Sequence, residues 1–337
     1  MSAPDEPDVA QRRTVVVLAV VAVLIVTLAA VHRQRTSADD DAPASRAGAT
    51  PAPTPRVPGP APQAILPAPA PSSPGRGPDQ CVRFDGTKGL AVTTFNIHSG
   101  LADGRLRLDD LAQAVESWDS GLVLLQEVSR NRGRVRNVDE PAALEAGLGM
   151  HAAFGVNDHP ADGGDYGVMT LSRYPIVSSR NTLLPTAPGA QQRGLLRTVV
   201  DFGGTRIAVY NTHLQDGYFP LRLRQMRAIT RILAREDLPV ILGGDLNTVP
   251  GSPVIGMTRP LLSDSFAEVG KGEGATIPAF RPRIRIDYLL HSPRLVPLES
   301  RVMPLTASDH RAVRSVFRLP DDIRVCVPAV ALHAAGR

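Results

Sequence analysis

Short apolar runs that end in polar residues recur along residues 81–337, and this pattern constrains the fold more than any other feature of the chain. Short β-branched and aliphatic runs are typical of strands that are buried on both faces. The runs span residues 90–95, 122–125, 206–210, 240–242 and 284–286. The pattern therefore predicts several buried strands, each of which delivers polar side chains at one end.

Three of these strand ends carry a pair of polar residues in alternate positions. The pairs are Asn96 with His98, Asn211 with His213, and Asp245 with Asn247. Because side chains alternate between the two faces of a strand, both members of a pair project to the same side. We therefore expect two groups from each strand to face a common site.

Three segments between the strands have a helical pattern, at residues 108–118, 141–148 and 220–235. No glycine-rich phosphate loop follows a strand, which argues against a nucleotide-binding domain of the Rossmann or P-loop type. No Gly-x-Ser-x-Gly motif occurs either, which argues against an α/β-hydrolase. The predicted strands outnumber the predicted helices.

The N-terminal region contains one segment that is apolar enough for a membrane. Residues 14–31 form an uninterrupted apolar run of about 18 residues, which at 1.5 Å per residue nearly crosses the hydrocarbon core of a bilayer. Charged residues follow the run where a cleaved signal would have a small-x-small site. We expect a cytoplasmic segment at residues 1–13 and an uncleaved transmembrane anchor at 14–31; a cleaved signal sequence is the alternative.

The composition changes after the apolar run. Residues 32–80 are rich in proline and alanine and lack the apolar mass for a core, so they predict an extended, disordered stalk. A proline-rich ligand for another domain is the alternative. The folded domain is expected at residues 81–337.

The two cysteines stand near the two ends of the predicted domain. Cys81 and Cys326 bracket it, and domain termini often lie close together. A disulfide between them would persist only in an oxidising compartment. Two unrelated thiols are the alternative. Together with the anchor and the stalk, the cysteines favour a domain outside the cytoplasm, at the surface of the cell membrane.

Charge gives weaker information about partners. The net charge is only +4, which is too small to predict a polyanionic partner by itself. Arginines cluster at residues 130–136 and 281–285, next to two of the predicted strands. Solvated surface is the default interpretation of such runs, but Arg132 and Arg134 are also candidates for contacts with substrate phosphates.

Seven short motifs occur in an order that resembles a known family. They are Thr-Phe-Asn-Ile-His (94–98), Leu-Gln-Glu-Val (125–128), Tyr-Gly-Val-Met-Thr-Leu-Ser-Arg-Tyr-Pro-Ile (166–176), Asn-Thr-His-Leu (211–214), Gly-Asp-Leu-Asn (244–247), Arg-Ile-Asp-Tyr (285–288) and Ser-Asp-His-Arg (308–311). The set resembles the endonuclease/exonuclease/phosphatase superfamily, which includes deoxyribonucleases, neutral sphingomyelinases and inositol polyphosphate 5-phosphatases. The resemblance implies a four-layer α/β sandwich, two packed mixed β-sheets flanked by helices.

The resemblance also implies a metal site. Asn96, Glu127 and Asp309 match the metal-binding positions of the family. Carboxylate and amide oxygens suit Mg²⁺, with Mn²⁺ as an alternative.

Further roles follow from the same resemblance. Asp245 is expected to orient the attacking water or to bind a second metal, and Asn247 to contact the phosphate. His310 is expected to act as a base or a phosphate contact, oriented by Asp287. His213 is expected to donate to a phosphate oxygen, and Asn211 to hold it in place or contact substrate.

These expectations combine into one predicted function. The chain is expected to be a monomeric, membrane-anchored, extracytoplasmic phosphodiesterase that depends on Mg²⁺ and cleaves nucleic acid. A phospholipid phosphodiesterase of sphingomyelinase type is the alternative enzyme, and a catalytically inactive stalked binding domain is the alternative of another class. Aromatic residues make up only 4% of the chain, so no membrane-inserting aromatic loop is evident from the sequence.

Overall fold

Two six-stranded β-sheets, each with parallel and antiparallel strands, form the centre of the structure. The computed structural model describes residues 80–83, 89–102, 104–304, 307–319 and 324–327. The predicted anchor and nearly all of the predicted stalk lie outside these residues. Within the described part of the chain, no helix combines the length and the apolar character needed to cross a membrane.

The secondary structure alternates between strands and short helices. In chain order the strands are β1 (Gln80–Arg83), β2 (Leu90–Asn96), β3 (Leu101–Ala102), β4 (Arg105–Leu106), β5 (Leu122–Arg130), β6 (His151–Asp158), β7 (Asp165–Ser172), β8 (Ile176–Leu183), β9 (Gly194–Phe202), β10 (Thr205–His213), β11 (Val240–Asp245), β12 (Ser263–Asp264), β13 (Asp287–His291), β14 (Val296–Met303), β15 (Ala312–Arg318) and β16 (Arg324–Val327). The α-helices are α1 (Leu108–Ser117), α2 (Glu140–Leu148), α3 (Phe219–Leu233), α4 (Pro253–Gly256) and α5 (Ser265–Val269).

Each large sheet contains one parallel pair of strands at its centre. The first sheet has the order β14-β15-β2-β5-β7-β6, and the second has the order β12-β13-β11-β10-β9-β8. The parallel pairs are β2 with β5 and β10 with β11. Two short two-stranded sheets, β1 with β16 and β3 with β4, complete the pairing of the described strands.

Three apolar clusters arrange the sheets and helices in layers. One cluster lies between the sheets and joins β2 and β5 to β9, β10 and β11. A second packs α1 and α2 against the outer face of the first sheet, and a third packs α3 and α4 against the outer face of the second. The result is the predicted α/β sandwich of two mixed sheets flanked by helices.

The helices begin and end where their local sequence favours it. At the start of α2 the Asp139 side chain accepts a hydrogen bond from the N–H of Ala142, and Pro141 occupies the first turn. The helix ends at Gly149, whose φ of +60° suits a residue without a side chain. All three predicted helices are present in the structure, and their bounds differ from the predicted ones by one or two residues.

One predicted strand is displaced along the chain. The apolar run at residues 284–286 precedes β13, which begins at Asp287. Ile284 instead forms an isolated bridge with Ile277, and the carbonyl of Ile286 accepts from the N–H of Leu246. The strand therefore begins at the polar residue because Asp287 is the first residue that pairs with β11.

The terminal strands bring the two cysteine positions together in the backbone register. Strand β1 pairs with β16 in antiparallel orientation, with Cys81 opposite Cys326. The cysteine side chains lie outside those that the structure describes, so the disulfide stays a prediction.

Glu140 is a buried carboxyl at the start of α2. Its Oε2 atom accepts a hydrogen bond of 2.7 Å from the N–H of Ser129 in β5, whereas its Oε1 atom has no hydrogen-bond partner. Burial raises the pKa of Glu140 to about 8, against the opposing effects of the Ser129 N–H and nearby arginines. The folded protein therefore binds a proton on Glu140 more tightly than the unfolded chain does.

This proton linkage predicts a pH-dependent stability. The pKa of Glu140 rises from 4.5 to about 8 on folding, so its contribution is fully present below pH 4.5 and is lost as the pH rises through 8. Glu140→Gln should remove this loss and raise the free energy of unfolding above pH 8 by on the order of 3 kcal/mol. Denaturant titrations across this pH range measure the effect. The control Glu145→Gln changes an exposed residue of α2 and should keep the wild-type pH dependence; a Glu140→Gln curve parallel to wild type would contradict the assignment.

Candidate active site

The polar residues that end the central strands meet at one edge of the sandwich. Asn96 ends β2, while His213 and Asp245 end the parallel strands β10 and β11. Asp287 begins the antiparallel strand β13 directly opposite Asp245. Because parallel strands place their carboxyl ends at the same edge of a sheet, the topology gathers these side chains in one cleft.

The Asn96 side chain joins the two sheets at this cleft. Its amide nitrogen donates to Oε1 of Glu127 at 3.0 Å and to Oδ2 of Asp245 at 3.1 Å. Its oxygen accepts from the backbone N–H of His98 at 3.0 Å. Since Asp245 belongs to the second sheet, one buried amide orients carboxylates from both sheets.

Glu127 reaches the cleft because of an irregularity in β5. The pairing of β5 with β7 shifts register between Gln126 and Val128, and Glu127 has a φ of +59°. A bulge re-aims a side chain at some cost in backbone strain, which a site tolerates where the surrounding structure holds the residue in place. The Glu127 side chain is 20% exposed.

His310 and Asp287 form a buried pair. Nδ1 of His310 lies 2.9 Å from Oδ2 of Asp287, and Nε2 lies 3.7 Å from Oδ2 of Asp245. Burial alone would lower the pKa of His310, but the charges of Asp287 and Asp245 outweigh it and raise the pKa to about 10. His310 is therefore an imidazolium at neutral pH.

Asp245 occupies the centre of the cleft and is 1% exposed. Burial, together with the charge of Asp287, raises the pKa of Asp245 to about 7. Its Oδ1 atom accepts from the backbone N–H of Asn247 at 2.9 Å. A carboxylate with this pKa is suited to take up a proton near neutral pH.

His213 has the opposite protonation state from His310. Its Nδ1 atom lies 3.0 Å from Nη1 of Arg193, and a guanidinium can only donate, so Nδ1 is the acceptor. Burial, with the charge of Arg193, holds the pKa of His213 well below its ordinary value. The neutral ring then carries its proton on Nε2, which faces Oδ2 of Asp245 at 3.5 Å. The amide nitrogen of Asn247 lies 3.0 Å from Nε2 but is itself a donor, and it donates to the carbonyl of Leu214.

Asn211 is placed differently from its predicted role. It is fully buried, and its amide nitrogen donates to the backbone carbonyls of Leu125 and Met169 in the first sheet. Its oxygen accepts from the side chain of Gln126 at 2.8 Å. These bonds make Asn211 a brace between the sheets, and neither end of its amide faces the cleft as a substrate contact.

The two arginines that were predicted to contact substrate phosphates have different surroundings. Arg132 is 7% exposed, forms an ion pair with Asp162 at 2.8 Å and lies over the ring of Tyr166. Arg134 is exposed and uses its backbone N–H to donate to Asp162. Arg132 therefore holds a loop in place, and only Arg134 presents its side chain to solvent.

Asp309 completes the edge of the cleft next to Glu127. The Asp309 side chain is 44% exposed, and its Oδ1 atom lies 3.5 Å from Nδ1 of His98. The same His98 nitrogen lies 3.8 Å from Oε2 of Glu127. His98 thus lies between two of the predicted metal ligands.

The donor set of the cleft fits a divalent cation. Asp245, Asp287 and His310 lie with their polar atoms within 4.8 Å of one another, the one such group found among the described residues. Since a charged His310 has no free lone pair, the two aspartates are the ligands that this group offers. The predicted ligands Glu127 and Asp309 add two carboxylates with partly exposed oxygens. This excess of carboxylate oxygen is the chemistry that hard cations such as Mg²⁺ prefer.

Two residues of the cleft were not found from the sequence pattern. Arg193 precedes β9 and sets the tautomer of His213, but no apolar run or polar pair marks it. Tyr166 lies within a family motif, and its phenol interacts with Glu127 and Arg193; burial and the charge of Glu127 raise its pKa. Only the tertiary contacts show that both residues support the site.

Comparisons with known proteins identify the family of the chain and proteins that share its fold. The sequence model of the Endonuclease/Exonuclease/phosphatase family matches residues 93–310. An endonuclease/exonuclease/phosphatase of Beutenbergia cavernae is 27% identical, with a TM-score of 0.60 over 69% of this chain and 72% of that chain.

Two more distant structures share the fold. A mannosyl-6-phosphatase of Bacteroides thetaiotaomicron is 16% identical, with a TM-score of 0.59 over 68% of this chain and 99% of that chain. The human Nocturnin catalytic domain with bound sulfate is 18% identical, with a TM-score of 0.55 over 71% of this chain and 97% of that chain.

The charge state of His310 can be tested directly. In Asp287→Asn the nearest negative charge is removed while burial remains, so the pKa of His310 should fall well below its wild-type value of about 10. A titration of ¹⁵N-labelled histidine by NMR in metal-free buffer measures the change. The control Asp109→Asn changes an exposed aspartate of α1 and should leave the titration of His310 as in wild type. An unchanged His310 titration in Asp287→Asn would show that Asp287 does not set its charge.

Proposed function

This chain belongs to the endonuclease/exonuclease/phosphatase family, and from that premise we propose that it is a metal-dependent phosphodiesterase. Members of this family are generally hydrolases of phosphodiester or phosphate bonds. The observation that carries the proposal is the combination of a charged His310, a neutral His213 and the carboxylate of Asp245 in one cleft. Together they provide two donors for phosphate oxygens and an acceptor for a proton.

A divalent cation fits the proposal. Glu127 and Asp309 would hold Mg²⁺, with Mn²⁺ as the alternative. The oxygen of Asn96, the third predicted ligand, accepts from the N–H of His98. Because the Asn96 nitrogen donates to Glu127 and Asp245, Asn96 would orient these carboxylates rather than bind the ion. When bound, the cation neutralises charge that develops on the phosphate oxygens.

The protein side chains would divide the remaining work. Asp245 would accept a proton from the attacking water, since its pKa of about 7 leaves it partly ionised at neutral pH. His310 would donate to a phosphate oxygen or to the leaving oxygen, with Asp287 holding its ring. Nε2–H of His213 and the amide of Asn247 would donate to other phosphate oxygens. Of the two roles expected for His310, its raised pKa supports the phosphate contact rather than the base.

The substrate class has two candidates. Nucleic acid was the first expectation, but the internal ion pair of Arg132 with Asp162 leaves less support for it. Phospholipid is the second, and it is favoured by large apolar side chains that are exposed around the cleft, including Phe280 at 72%. An inactive binding domain is disfavoured, because every predicted acidic and histidine residue is present in the cleft.

The expected setting completes the proposal. A monomer held outside the cell membrane by residues 14–31 would meet both nucleic acid in the surroundings and lipid in the membrane. Appearance of the domain on the outside of intact cells, measured by protease accessibility, would support this location.

The metal role of Glu127 predicts a loss of activity. Glu127→Gln keeps the shape of the side chain but removes a negative charge, so hydrolysis of a small diester should fall about 100-fold or more. Assays on bis-p-nitrophenyl phosphate, DNA and phospholipid vesicles, each with and without EDTA, test both the metal and the substrate class. The exposed Glu145→Gln is the control and should match wild type. Activity of Glu127→Gln near the wild-type level would place the metal elsewhere.

The protonation states predict the pH profile of kcat/KM. Activity should rise as Asp245 loses its proton, near pH 7, and fall when His310 loses its proton, near pH 10. The profile for a small soluble diester measures both limbs. Activity that decreases steadily from pH 6 upward would contradict the assignment of Asp245 as the acceptor.

A further inference from the structure

Five large apolar side chains are exposed in the segments around the cleft. We call them the apolar rim: Tyr218 (48% exposed), Phe219 (40%), Val249 (46%), Phe280 (72%) and Ile284 (43%). Each lies within seven residues of a cleft residue in the chain. Exposed apolar side chains that gather at one place mark a surface that binds something, whereas scattered ones do not.

The most exposed member lies at the tip of a tight hairpin. Ile277 and Ile284 pair at its base, and the N–H of Arg283 donates to the carbonyl of Ile277 at 2.9 Å. The N–H of Ala279 donates to the carbonyl of Asp309 at 2.8 Å. The hairpin 277–284 is therefore fastened beside the predicted metal ligand, with the Phe280 ring projecting into solvent.

Hydrogen bonds connect this hairpin to the next segment of the rim. The Tyr288 hydroxyl lies 2.8 Å from the carbonyl of Thr248 and 3.3 Å from that of Arg285. The N–H of Leu246 donates to the carbonyl of Ile286 at 2.9 Å. The loop that carries Val249 thus lies against the base of the hairpin.

A further bond reaches the third segment. The amide of Asn247 donates to the carbonyl of Leu214 at 2.9 Å, and the chain continues from there to Tyr218 and Phe219. The three segments that carry the rim are therefore connected to one another through residues of the cleft.

Positive charge accompanies the apolar surface. Arg281 and Arg283 are exposed and directly follow Phe280 in the hairpin, and residues 276–286 contain no acidic residue. Arg285 is the exception among the arginines of the segment because it is buried and paired with Asp264 at 2.7 Å. Two cations that form no ion pair with the described residues, next to an exposed phenyl ring, match the surface of a membrane that contains anionic lipids.

We propose that the apolar rim, led by hairpin 277–284, docks on the surface of a phospholipid bilayer that contains anionic lipid. Phe280 and Ile284 enter the boundary between headgroups and acyl chains, and Arg281 and Arg283 contact headgroup phosphates. Docking in this orientation turns the cleft toward the headgroups. It goes beyond the proposed function, because it does not require hydrolysis.

A bilayer explains the rim better than single-stranded nucleic acid does. Nucleic acid binds to exposed aromatic rings by base stacking, which would use Tyr218, Phe219 and Phe280. The aliphatic side chains of Val249 and Ile284 have no ring face to stack on, yet they are exposed to a similar degree. An apolar boundary accepts both kinds of side chain.

From the sequence alone, no membrane-inserting aromatic loop is evident. Trp118 is the single tryptophan and is buried in the core, and the low aromatic content made an inserting loop seem absent. The structure changes this expectation because it concentrates three of the few aromatic residues at one edge.

The docking can be tested with the full chain and a new tryptophan. Phe280→Trp places a fluorophore at the hairpin tip, where 72% exposure leaves room for the larger ring. Val296→Trp is the control, because Val296 is 42% exposed but begins β14, at the opposite end of the sheet from the cleft. Buried Trp118 contributes the same background to both variants, and so does any attachment by residues 1–79.

The vesicles consist of phosphatidylglycerol and phosphatidylcholine with brominated acyl chains, which quench tryptophan on contact. Emission of Phe280→Trp should shift to the blue and be quenched several-fold more than that of Val296→Trp. Equal quenching of the two variants, or none at Phe280→Trp, would overturn the proposal. So would a response of Phe280→Trp to single-stranded DNA without a response to vesicles.

A second variant tests the charge contribution. Arg281→Gln combined with Arg283→Gln, in the Phe280→Trp background, should weaken quenching and remove its dependence on the phosphatidylglycerol fraction. An unchanged dependence would overturn the role of the two arginines. Hydrolysis of a soluble diester by the same proteins is measured separately. Docking without any hydrolysis would defeat only the proposed function, and hydrolysis without docking would defeat only this inference.

Discussion

Two buried amides that cross between the sheets hold the cleft together. Asn211, on the second sheet, bonds to backbone carbonyls of β5 and β7, while Asn96, on the first sheet, bonds to Asp245 of β11. A buried amide without partners is costly, so these bonds strongly disfavour any shift of one sheet against the other. The separation of the carboxylates in the cleft depends on this registration.

The same registration concentrates negative charge that the described protein groups only partly balance. Asp245 and Asp287 face each other across a strand pair, and His310 lies within ion-pair distance of both. The charges of two aspartate neighbours raise the pKa of His310 against the effect of burial, whereas burial, with the charge of Arg193, lowers the pKa of His213. Two histidines in one cleft thus receive different protonation states from their surroundings.

The two sides of the cleft carry different kinds of side chain. On the Glu127 side, one arginine of the run is not available for a ligand, since Arg132 forms an ion pair with Asp162. On the Asp287 side the surface carries exposed rings and aliphatic side chains together with Arg281 and Arg283. An arginine run in a sequence therefore does not identify the binding surface by itself. Which arginines remain free depends on the acids that folding brings next to them.

Strand ends and family motifs in the sequence determined most of what the site contains. The alternation of apolar runs and polar pairs located β2, β5, β10 and β11, because burial of a strand on both faces leaves a local pattern. The motifs supplied Glu127, Asp245 and His310 as candidates in the right order. Helix bounds were also readable, since caps such as Asp139 and Gly149 act within a few residues.

Contacts between distant parts of the chain decided the rest. The bulge that aims Glu127, the tautomer of His213 that Arg193 sets, and the bracing role of Asn211 each depend on a partner far away in sequence. Ile284 was predicted within a strand but became part of a surface hairpin, because pairing with β11 begins only at Asp287. A sequence pattern shows whether a residue prefers burial. The hydrogen-bond or ion-pair partner of a polar side chain is decided only when the two sheets pack, and that partner sets the protonation state and the orientation of the side chain.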